Sequence, residues 1–283
     1  MPKCSLDAVL PLVTRDVERF QRLLLPSLRH FFRPLGTCWV VVPQADIAAM
    51  RHQIADPQFR VISETDLIPE LPLFRPERVG GWQLQQLIKL SAARIVSSPF
   101  YLTLDADVVC VRPIEYSDLI RDQRAIANVY DSDQDMHSEW YEWSEKMLGF
   151  PRSGRIHGVT PAVLSAEGVC RLFAFFEKQL KPNLLRAETY LLSHRPWTEY
   201  TLYYTYLEHT GLFDTYHFPA SIQTYQNSIW KVGGEEAWDP EHSFSAHNSF
   251  YFSVLQSYAV NSVDPVVARI RSYYQSIGEP SPF

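Results

Sequence analysis

The first hundred residues alternate between short apolar runs and longer segments with helical periodicity. Apolar runs predict buried strands at 8–14, 37–43, 59–63 and 100–104. Between the strands, apolar residues recur three or four positions apart, for example in 81–98, and this spacing predicts helices. Strands that alternate with helices need right-handed crossover connections, which produce a mainly parallel sheet with helices on both faces. We therefore predict an α/β fold.

The second half of the chain is less regular and unusually aromatic, as in the stretch RPWTEYTLYYTYLE. Packing in a core accounts for most of these rings, and a minority could line a surface that binds sugars. No repeat, low-complexity tract or flexible linker separates this half of the sequence from the first. We therefore predict a single domain, residues 1–283, whose C-terminal half completes the sheet.

Charge and cysteine content exclude several classes of protein. The 283 residues carry a net charge of -6, so the chain has no general attraction to nucleic acid or anionic lipid. The cysteines are far apart and match neither a disulfide framework nor a zinc site, as is typical of reduced thiols: Cys4, Cys38, Cys110 and Cys170. The N-terminal apolar run is too short for a signal peptide, and no apolar stretch approaches the length of a membrane span. We expect a soluble cytoplasmic protein that binds no nucleic acid and contacts a membrane only peripherally, if an acceptor lies there.

Two aspartates follow a strand-like run in SSPFYLTLDADVVCVRPI. Asp105 and Asp107 stand between two apolar runs, so both carboxylates lie at a bend between buried segments. Alternation along the chain turns them to one side, where a hard divalent cation would offset their repulsion. Hydrogen bonds from backbone amides of the next turn are the alternative explanation. In a parallel sheet this bend lies at the carboxyl end of a strand, where ligands bind.

Three further motifs accompany the aspartate pair. They are the strand-to-helix turn VTRDVERF, a lysine sixteen positions before Asp105, and HGVTPAVLS at 157–165. Together these motifs resemble the GT-A glycosyltransferases, most closely the glycogenin-like branch and an uncharacterised bacterial group of nucleotide-diphospho-sugar transferases. The resemblance covers residues 8–165. It implies a nucleotide-binding half, 1–115, that ends in the Asp-x-Asp motif, and an acceptor-side half, 116–283.

The resemblance also implies roles for these residues. Asp105 and Asp107 would hold Mn²⁺ or Mg²⁺ against the donor diphosphate, with Asp107 in direct contact with the metal. The turn after the first strand would lie near the base and ribose, for which uridine is our choice by resemblance alone: Thr14, Arg15 and Asp16. The segment 157–165 would line the sugar pocket.

The helical pattern around Lys89 agrees with a role at the donor. Trp82, Gln86, Lys89 and Ala93 share one face of the predicted helix, so the lysine projects beside a polar neighbour. Its compact ammonium could contact phosphate or sugar hydroxyls. A solvated surface lysine is the alternative.

A third metal ligand is expected from the C-terminal half if the resemblance holds. His247 is the first choice and His242 the second. The glycogenin-like branch follows its metal histidine with a glycine and a phosphate-binding lysine, and this sequence departs from that pattern. Lys231 could supply the missing phosphate contact. A structural histidine and a surface loop lysine are the alternatives.

Glu199 lies in the aromatic segment where the family carries a carboxylate near the reacting sugar carbon. It could deprotonate the acceptor hydroxyl in an inverting reaction or stabilise positive charge on the sugar in a retaining one. Capping of the following helix is the alternative. The best candidates for a sugar-stacking floor are Trp140, Trp143, Trp197 and Tyr200.

A second acidic stretch, DSDQDMHSEWYE, matches part of a calcium-binding loop. Its acidic residues occupy loop positions one, three, five, nine and twelve: Asp131, Asp133, Asp135, Glu139 and Glu142. Position six, which needs glycine for its turn, is Met136, and the preceding AIANVY is strand-like. We therefore interpret this stretch as a solvated loop over the acceptor site.

These observations favour a metal-dependent glycosyltransferase. It would move a hexose from a nucleotide diphosphate sugar to a carbohydrate or glycolipid acceptor, for instance in polysaccharide biosynthesis. A sugar-phosphate nucleotidyltransferase needs a glycine-rich N-terminal loop, and no glycine occurs before Gly36. A non-catalytic sugar-binding protein would leave the aspartate pair and the early turn unexplained.

Overall fold

The computed structural model describes residues 5–73, 80–130, 138–180, 186–194, 196–221 and 223–283. In these residues the strands are β1 (Leu6–Pro11), β2 (Leu35–Val42), β3 (Phe59–Ser63), β4 (Phe100–Thr103), β5 (Val108–Cys110), β6 (Ile120–Arg121), β7 (Arg124–Ala127), β8 (Val129–Tyr130), β9 (Ile156–His157), β10 (Ala162–Ser165), β11 (His217–Pro219) and β12 (Phe252–Val254). The α-helices are α1 (Val17–Arg19), α2 (Leu25–Phe31), α3 (Ile47–Gln53), α4 (Glu64–Leu67), α5 (Gly81–Ser91), α6 (Tyr116–Leu119), α7 (Ser138–Leu148), α8 (Ala166–Gln179), α9 (Ala187–Leu192), α10 (Glu199–His209), α11 (Phe213–Tyr216), α12 (Pro240–Phe244) and α13 (Asp264–Ser276).

Five strands form the central sheet in the order β10, β4, β1, β2, β3. The first four strands of the chain pair in parallel, and β10 joins β4 antiparallel at one edge. The chain moves from β1 to β3 in one direction and then returns to place β4 on the other side of β1. Because such crossovers are right-handed, α5 lies on the opposite face from the helices between β1 and β3. The structure confirms the predicted α/β class with a mainly parallel sheet.

The predicted strands differ from the observed ones mainly at their ends. The run at 59–63 coincides with β3, whereas the run at 8–14 ends as a strand at Pro11, and Thr14–Asp16 form a 3-10 turn. All six residues of β1 are buried, as expected for a central strand covered on both faces.

The helix after β1 changes its hydrogen bonding along its length. A π-helical stretch, Phe20–Leu24, joins α1 to α2. Pro26, the second residue of α2, has no N–H to donate to the preceding turn, so a regular α-helical ladder cannot continue through it. The predicted apolar positions nevertheless face the core, because Phe20, Leu24 and Leu28 are buried.

The C-terminal half contributes β10 to the central sheet, as predicted, and builds three smaller sheets. The first has the order β11, β7, β6, the second pairs β12 with β5, and the third pairs β8 with β9. The antiparallel pairing of β12 with β5 brings residues 255–257 next to the aspartate pair. Residues 131–137, which carry most of the calcium-loop pattern, lie outside the described residues.

Three cysteines are free thiols, with Cys38 and Cys110 buried and Cys170 exposed, and Cys4 is not among the described residues. Burial raises the pKa of the Cys38 and Cys110 thiols, so both are inert core side chains. Within the described ranges, every helix is too short or too polar to cross a membrane.

Candidate active site

The carboxyl ends of β1 and β4 lie side by side where the strand order reverses. After β1 the chain continues to β2 on one side, and β4 pairs with the other side of β1. Ligands of open α/β sheets bind in the crevice outside the strands at such a switch point. Thr14–Asp16 follow β1, and Asp105 follows β4, so two of the predicted motifs lie at this edge.

Lys89 lies at the centre of a buried polar cluster next to Asp105. Its Nζ is 2.9 Å from Oδ1 of Asp105, 3.1 Å from Oε1 of Glu199 and 2.7 Å from Oγ1 of Thr160. The side chain is only 2% exposed, so the alternative of a solvated surface lysine is wrong. The structure therefore brings together residues from α5, from the end of β4 and from the start of α10.

Lys89 is charged in spite of its burial. Burial alone would lower the pKa of its ammonium, but Asp105 and Glu199 raise it, and the resulting pKa lies well above the ordinary value. The ring of Tyr200, with its centroid 5.8 Å from Nζ, adds a cation–π contact. Lys89 is therefore a fixed positive charge at the inner end of the site.

Glu199 is the first residue of α10 and is fully buried. Thr198 caps this helix, because its side chain accepts a hydrogen bond from the N–H of Thr201, so Glu199 is not the capping residue. Burial raises the pKa of Glu199, whereas the neighbouring Lys89 opposes that shift. Both carboxylate oxygens are buried and make no hydrogen bond within the described residues, while Oε1 lies 3.1 Å from Nζ of Lys89 as an ion pair. The carboxylate thus interacts mainly with Lys89.

Asp107 lies beside Asp105 but is held by the C-terminal half. Its Oδ2 accepts a hydrogen bond from the N–H of Ser257 at 2.8 Å, and its backbone oxygen accepts one from Leu255 at 2.9 Å. Oδ1 is buried and has no hydrogen-bond partner among the described residues. Burial, followed by repulsion from Asp105, raises the pKa of Asp107 to about 7. Amide hydrogen bonds therefore satisfy only one oxygen of this carboxylate.

Asp7 shows how a purely structural carboxylate is satisfied in the same sheet. Its Oδ1 accepts a hydrogen bond from the N–H of Thr37 at 2.9 Å. Its Oδ2 accepts two more from the N–H and the hydroxyl of Ser97, at 2.6 and 2.9 Å. Buried carboxylates normally have such partners on both oxygens. Oδ1 of Asp107, which has no partner in the described part of the chain and lies beside the partly exposed Asp105, is therefore available to a ligand.

Asp105 and Asp107 fit a divalent cation that takes its other ligands from substrate and water. Among the described residues, no three or more His, Cys, Asp or Glu side chains form a group that could hold a metal ion. Mg²⁺ is commonly bound through one or two carboxylates together with substrate phosphates and waters. Asp105 is 31% exposed, and Asp107 offers its free oxygen, so the pair matches this donor set.

The structure does not gather the predicted third metal ligand with the aspartate pair in the part of the chain that it describes, and the phosphate contact of Lys231 stays a prediction. His247 is exposed in a turn, and His242 is exposed on α12 with its ring against Phe250. Since the described part of the chain holds no three-ligand group, neither histidine is gathered with the aspartate pair. The reason is packing, because α12 is drawn towards α13 by the rings of Phe244 and Tyr274. Lys231 is exposed in the turn after Trp230.

The turn Thr14–Asp16 is accessible at the surface. The Thr14 hydroxyl donates a hydrogen bond to Oδ2 of Asp46 at 2.8 Å, and the side chain of Arg15 is 80% exposed. The contact of this turn with a nucleotide stays a prediction.

Arg19 is a site residue that the sequence pattern did not reveal. Its guanidinium is 3.8 Å from Asp16 and donates hydrogen bonds to the carbonyls of Ser257 and Val260, at 3.0 and 2.5 Å. The same turn supplies the Ser257 N–H that binds Asp107. Arg19 therefore ties the helix after β1 to the turn that holds Asp107. The spacing of Asp16 and Arg19 is the one sequence signal for this link, and it is common on helices.

The predicted aromatic floor is partly core. Trp197 is completely buried, with Nε1 donating to the carbonyls of Leu191 and His194, and Tyr200 is also buried. The prediction of a sugar-stacking role is wrong for these two rings, because no ligand can reach their faces. Trp140 and Trp143 are half-buried on α7.

Three other rings border the site, and we call them the aromatic rim: Tyr225, Trp230 and Tyr258. Tyr258 is 64% exposed, follows Ser257 in the chain, and donates its hydroxyl to the carbonyl of Trp230 at 2.7 Å. The Trp230 ring lies 6.0 Å from that of Tyr225, whose hydroxyl accepts the N–H of Val159. Because Ser257 contacts Asp107 and Val159 precedes Thr160, the rim extends from the aspartate side of the site to the Lys89 side.

The segment 157–165 contacts Lys89 through Thr160, and Val159 contacts the aromatic rim. His157 is buried against Tyr204, and burial lowers its pKa. Gly158 is needed for close packing, since a Cβ there would lie 2.8 Å from Cβ of Asn128. Residues 162–165 form β10 beside β4. The ends of the segment are thus structural and present Thr160 to Lys89.

Residues 3–278 match the family described as "Family of unknown function (DUF6492)". The chain belongs to the DUF6492 family. No curated protein matches this DUF6492 chain. Its site residues therefore have to be interpreted from their own chemistry.

Two solved structures are among those similar to this DUF6492 protein. Mouse xyloside xylosyltransferase 1, in its apo form, has a TM-score of 0.49 and 10% identity, with 90% of this chain and 99% of that chain covered. The galactosyltransferase LgtC, in complex with donor and acceptor sugar analogs, has a TM-score of 0.48 and 12% identity, with coverage of 96% and 95%. At these scores we base the function on the site itself.

Proposed function

We propose that this DUF6492 protein is a metal-dependent glycosyltransferase. In this proposal it transfers a hexose from a nucleoside diphosphate sugar, with uridine as the first choice by resemblance, to a carbohydrate or glycolipid acceptor. The observation that carries the proposal is the buried Oδ1 of Asp107, which has no hydrogen-bond partner among the residues described, beside the accessible Asp105 at the switch point of the sheet. A sugar-binding site that relied on ring stacking alone would leave this pair of carboxylates without a role.

The charges of the site support a divalent cation and a diphosphate. Three carboxylates, those of Asp105, Asp107 and Glu199, face one ammonium, that of Lys89. When all are ionised, three negative charges and one positive charge leave a net charge of -2. Mn²⁺ or Mg²⁺ on Asp105 and Asp107 would neutralise this excess and stabilise the negative charge of the departing diphosphate.

The residues of the chain have separate tasks in this proposal. Asp105 and Asp107 bind the donor through its cation, and Lys89 keeps a positive charge next to Asp105. Thr14, Arg15 and Asp16 offer exposed polar groups at the neighbouring strand end, where the nucleoside of the donor would lie. Arg19 keeps the turn over Asp107 in place.

Glu199 suits a charge-stabilising role better than that of a general base. A base must come within hydrogen-bonding distance of the acceptor hydroxyl, directly or through one water. Glu199 has no exposed surface, and its nearest charged partner is Lys89 at 3.1 Å. Its carboxylate therefore acts on the reaction through the electrostatic field and through Lys89, which favours a retaining over an inverting reaction in our proposal.

The acceptor would bind on the aromatic rim. Trp230 and Tyr258 present exposed ring faces close to both ends of the cluster, whereas Trp197 and Tyr200 are closed off in the core. Flat rings with a polar edge suit a sugar that offers a C–H face and hydroxyls. The exposed Lys231 lies next to Trp230 and could reach an acidic group on the acceptor.

A nucleotide titration tests the proposal. The parent protein is titrated calorimetrically with uridine, guanosine and cytidine diphosphates, each with and without Mn²⁺. We expect one of them to bind only with Mn²⁺, and Asp107→Asn to abolish this binding. Asp122→Asn is the matched control, since Asp122 is exposed in a turn at φ 50°, a conformation that asparagine tolerates. Binding of no diphosphate, or equal binding by Asp107→Asn, would contradict the proposal.

A further inference from the structure

The ammonium of Lys89 donates hydrogen bonds to Asp105 and Thr160 and forms an ion pair with Glu199. A lysine carries three N–H donors, and Nζ has three acceptors around it: Thr160 at 2.7 Å, Asp105 at 2.9 Å and Glu199 at 3.1 Å. Thr160 and Glu199 are both buried, whereas Asp105 is partly exposed. Of the three partners, Asp105 is therefore the one that can turn towards a ligand without leaving a polar atom buried and unpaired.

Three hydroxyl groups, beginning with that of Thr160, form a hydrogen-bonded chain that leads away from Lys89. Oγ1 of Thr160 lies 2.5 Å from the hydroxyl of Tyr200, which lies 2.7 Å from Oγ1 of Thr103. Oγ1 of Thr103 in turn donates to the carbonyl of Ala162 at 3.0 Å. All three hydroxyls are buried.

The end of the chain fixes the direction of every hydrogen bond in it. Because each hydroxyl has one proton, and that of Thr103 goes to the Ala162 carbonyl, Thr103 must accept from Tyr200. The proton of Tyr200 is then used, so Tyr200 must accept from Thr160. Thr160 can accept in turn only from an N–H of Lys89. The backbone of β10 thus specifies that Thr160 is an acceptor for the ammonium.

We infer that Thr160, Tyr200 and Thr103 are positioning residues that hold Lys89 in place while Asp105 exchanges partners. When Asp105 turns to the cation, one N–H of Lys89 becomes free, and the other two stay with Thr160 and Glu199. The freed N–H points to the place that the Asp105 carboxylate has left, where an oxygen of the donor can accept it. This inference rests on the proposed function in assigning the acceptor to a nucleoside diphosphate sugar.

Single substitutions can separate the hydrogen bonds of these hydroxyls from the packing of their side chains. Tyr200 also supplies the ring near Nζ, so removal of its hydroxyl alone separates hydrogen bonding from packing. Thr160→Val keeps the shape of Thr160 and removes its acceptor, whereas Thr160→Ser keeps the hydroxyl. Tyr204→Phe is a matched control, because Tyr204 is buried on the same helix and its described contacts are between rings.

The first test measures binding of UDP with Mn²⁺. Without its Thr160 acceptor, Lys89 holds Asp105 more strongly and competes with the cation. We expect Thr160→Val and Tyr200→Phe to weaken binding about tenfold, the size of one hydrogen bond to a charged group, while Thr160→Ser and Tyr204→Phe stay within twofold of the parent. In a Lys89→Met background, Thr160→Val should have no further effect. An equal loss with and without Lys89 would overturn the inference, since it would show that Thr160 acts on the structure generally.

The second test needs no ligand and separates this inference from the proposed function. Urea unfolding of the same variants measures whether the stability lost in Thr160→Val disappears when Lys89 is replaced by Met. If the two substitutions are coupled in unfolding free energy but UDP does not bind, the result supports the hydroxyl chain and contradicts the proposed donor. If the losses in unfolding free energy from Thr160→Val and Lys89→Met are additive, the hydroxyl chain does not hold Lys89, whatever ligand the protein binds. If Lys89→Met does not fold, the contrast between Thr160→Val and Thr160→Ser decides, and equal stability of the two would overturn the inference.

Discussion

Nζ of Lys89 lies 3.1 Å from Oε1 of Glu199, and both side chains are almost completely buried. The two residues come from different halves of the chain, and Lys89 also pairs with Asp105, whose side chain is 31% exposed. Breaking a buried ion pair from one side leaves an uncompensated charge, which costs far more than the pair itself contributes.

Lys89→Met should therefore destabilise the protein strongly, on the order of 3–5 kcal/mol, as measured by urea unfolding at pH 7.5. Replacing Glu199 with Gln in addition removes one of the stranded carboxylates, so Lys89→Met/Glu199→Gln should be more stable than Lys89→Met alone. If the changes in unfolding free energy caused by Lys89→Met and Glu199→Gln are additive, the two side chains do not stabilise each other.

Glu199→Gln should lower turnover more than donor binding. The substitution keeps the volume and an oxygen near Lys89 but removes the negative charge, whose effect is greatest when positive charge develops on the sugar. We expect turnover to fall about a hundredfold with affinity for UDP and Mn²⁺ within threefold of the parent. The measurement is steady-state transfer or hydrolysis of a UDP-hexose alongside calorimetry. Full activity in Glu199→Gln would leave this glutamate with a structural role alone.

Asp107 should make stability depend on pH in the absence of divalent cations. Its pKa rises from 3.8 to about 7 on folding, so the folded state binds one more proton between these values. The stabilisation is therefore complete below pH 4 and is lost as pH rises through 7, by at most about 1.4 kcal/mol per pH unit.

This pH dependence is measured as the difference in unfolding free energy between the parent and Asp107→Asn, with a chelator present. The parent should become less stable relative to the variant between pH 5 and pH 8. Added Mn²⁺ should restore the parent at pH 8 and leave the variant unchanged. A constant difference across this range would contradict the raised pKa.

His217 should make stability depend on pH with the opposite sign to Asp107. Its Nδ1 donates to the carbonyl of Ala125 at 3.2 Å, so Nε2 accepts from the hydroxyl of Tyr203 at 2.8 Å. Burial lowers its pKa from 6.5 to about 3. The unfolded chain therefore binds the extra proton between these values, and stability falls as pH drops from 6.5 towards 3. His217→Asn, which can still donate to Ala125, should show a shallower slope of stability against pH, and an unchanged slope would contradict the assignment.

Arg19→Met should weaken binding of UDP with Mn²⁺ without contacting either. The guanidinium holds the carbonyls of Ser257 and Val260, and release of this turn removes the N–H that orients Asp107. We expect a loss of roughly tenfold, typical of a hydrogen bond that involves a charged group. Arg22→Met is the control, because Arg22 lies one turn further along and its ion pairs among the described residues are with the exposed Glu18 and Asp264. Equal effects of the two substitutions would refute a special role for Arg19.

The position of the aspartate pair at a strand end could be predicted because it depends on local pattern alone. A run of buried residues that stops at Asp105 has to end where the sheet ends, and the alternation of strands and helices fixes that edge as the ligand-binding edge. The spacing of Lys89 before Asp105 was also informative, since α5 leads directly into β4.

The failures of prediction concern contacts between distant segments. The aromatic residues around 197–200 could not be sorted into core and surface, because a buried ring and a sugar-stacking ring have the same local pattern. Trp197 packs inside the protein, while Trp230 and Tyr258, which were not among the predicted stacking residues, are exposed beside the site. Likewise, nothing near His247 indicated that α12 would be packed against α13.

The sequence by itself determined the α/β class, the strand end that carries Asp105 and Asp107, and the helix that carries Lys89. These follow from periodicity and chain connectivity, which act over a few residues. Only the tertiary structure decided that Thr160 and Glu199 enclose Lys89 and that Arg19 holds the turn over Asp107. It also decided that one oxygen of Asp107 finds no partner within the described ranges. Periodicity shows which face of an element is buried, but the residue found across that face depends on how all elements pack together, and this packing is a property of the whole chain.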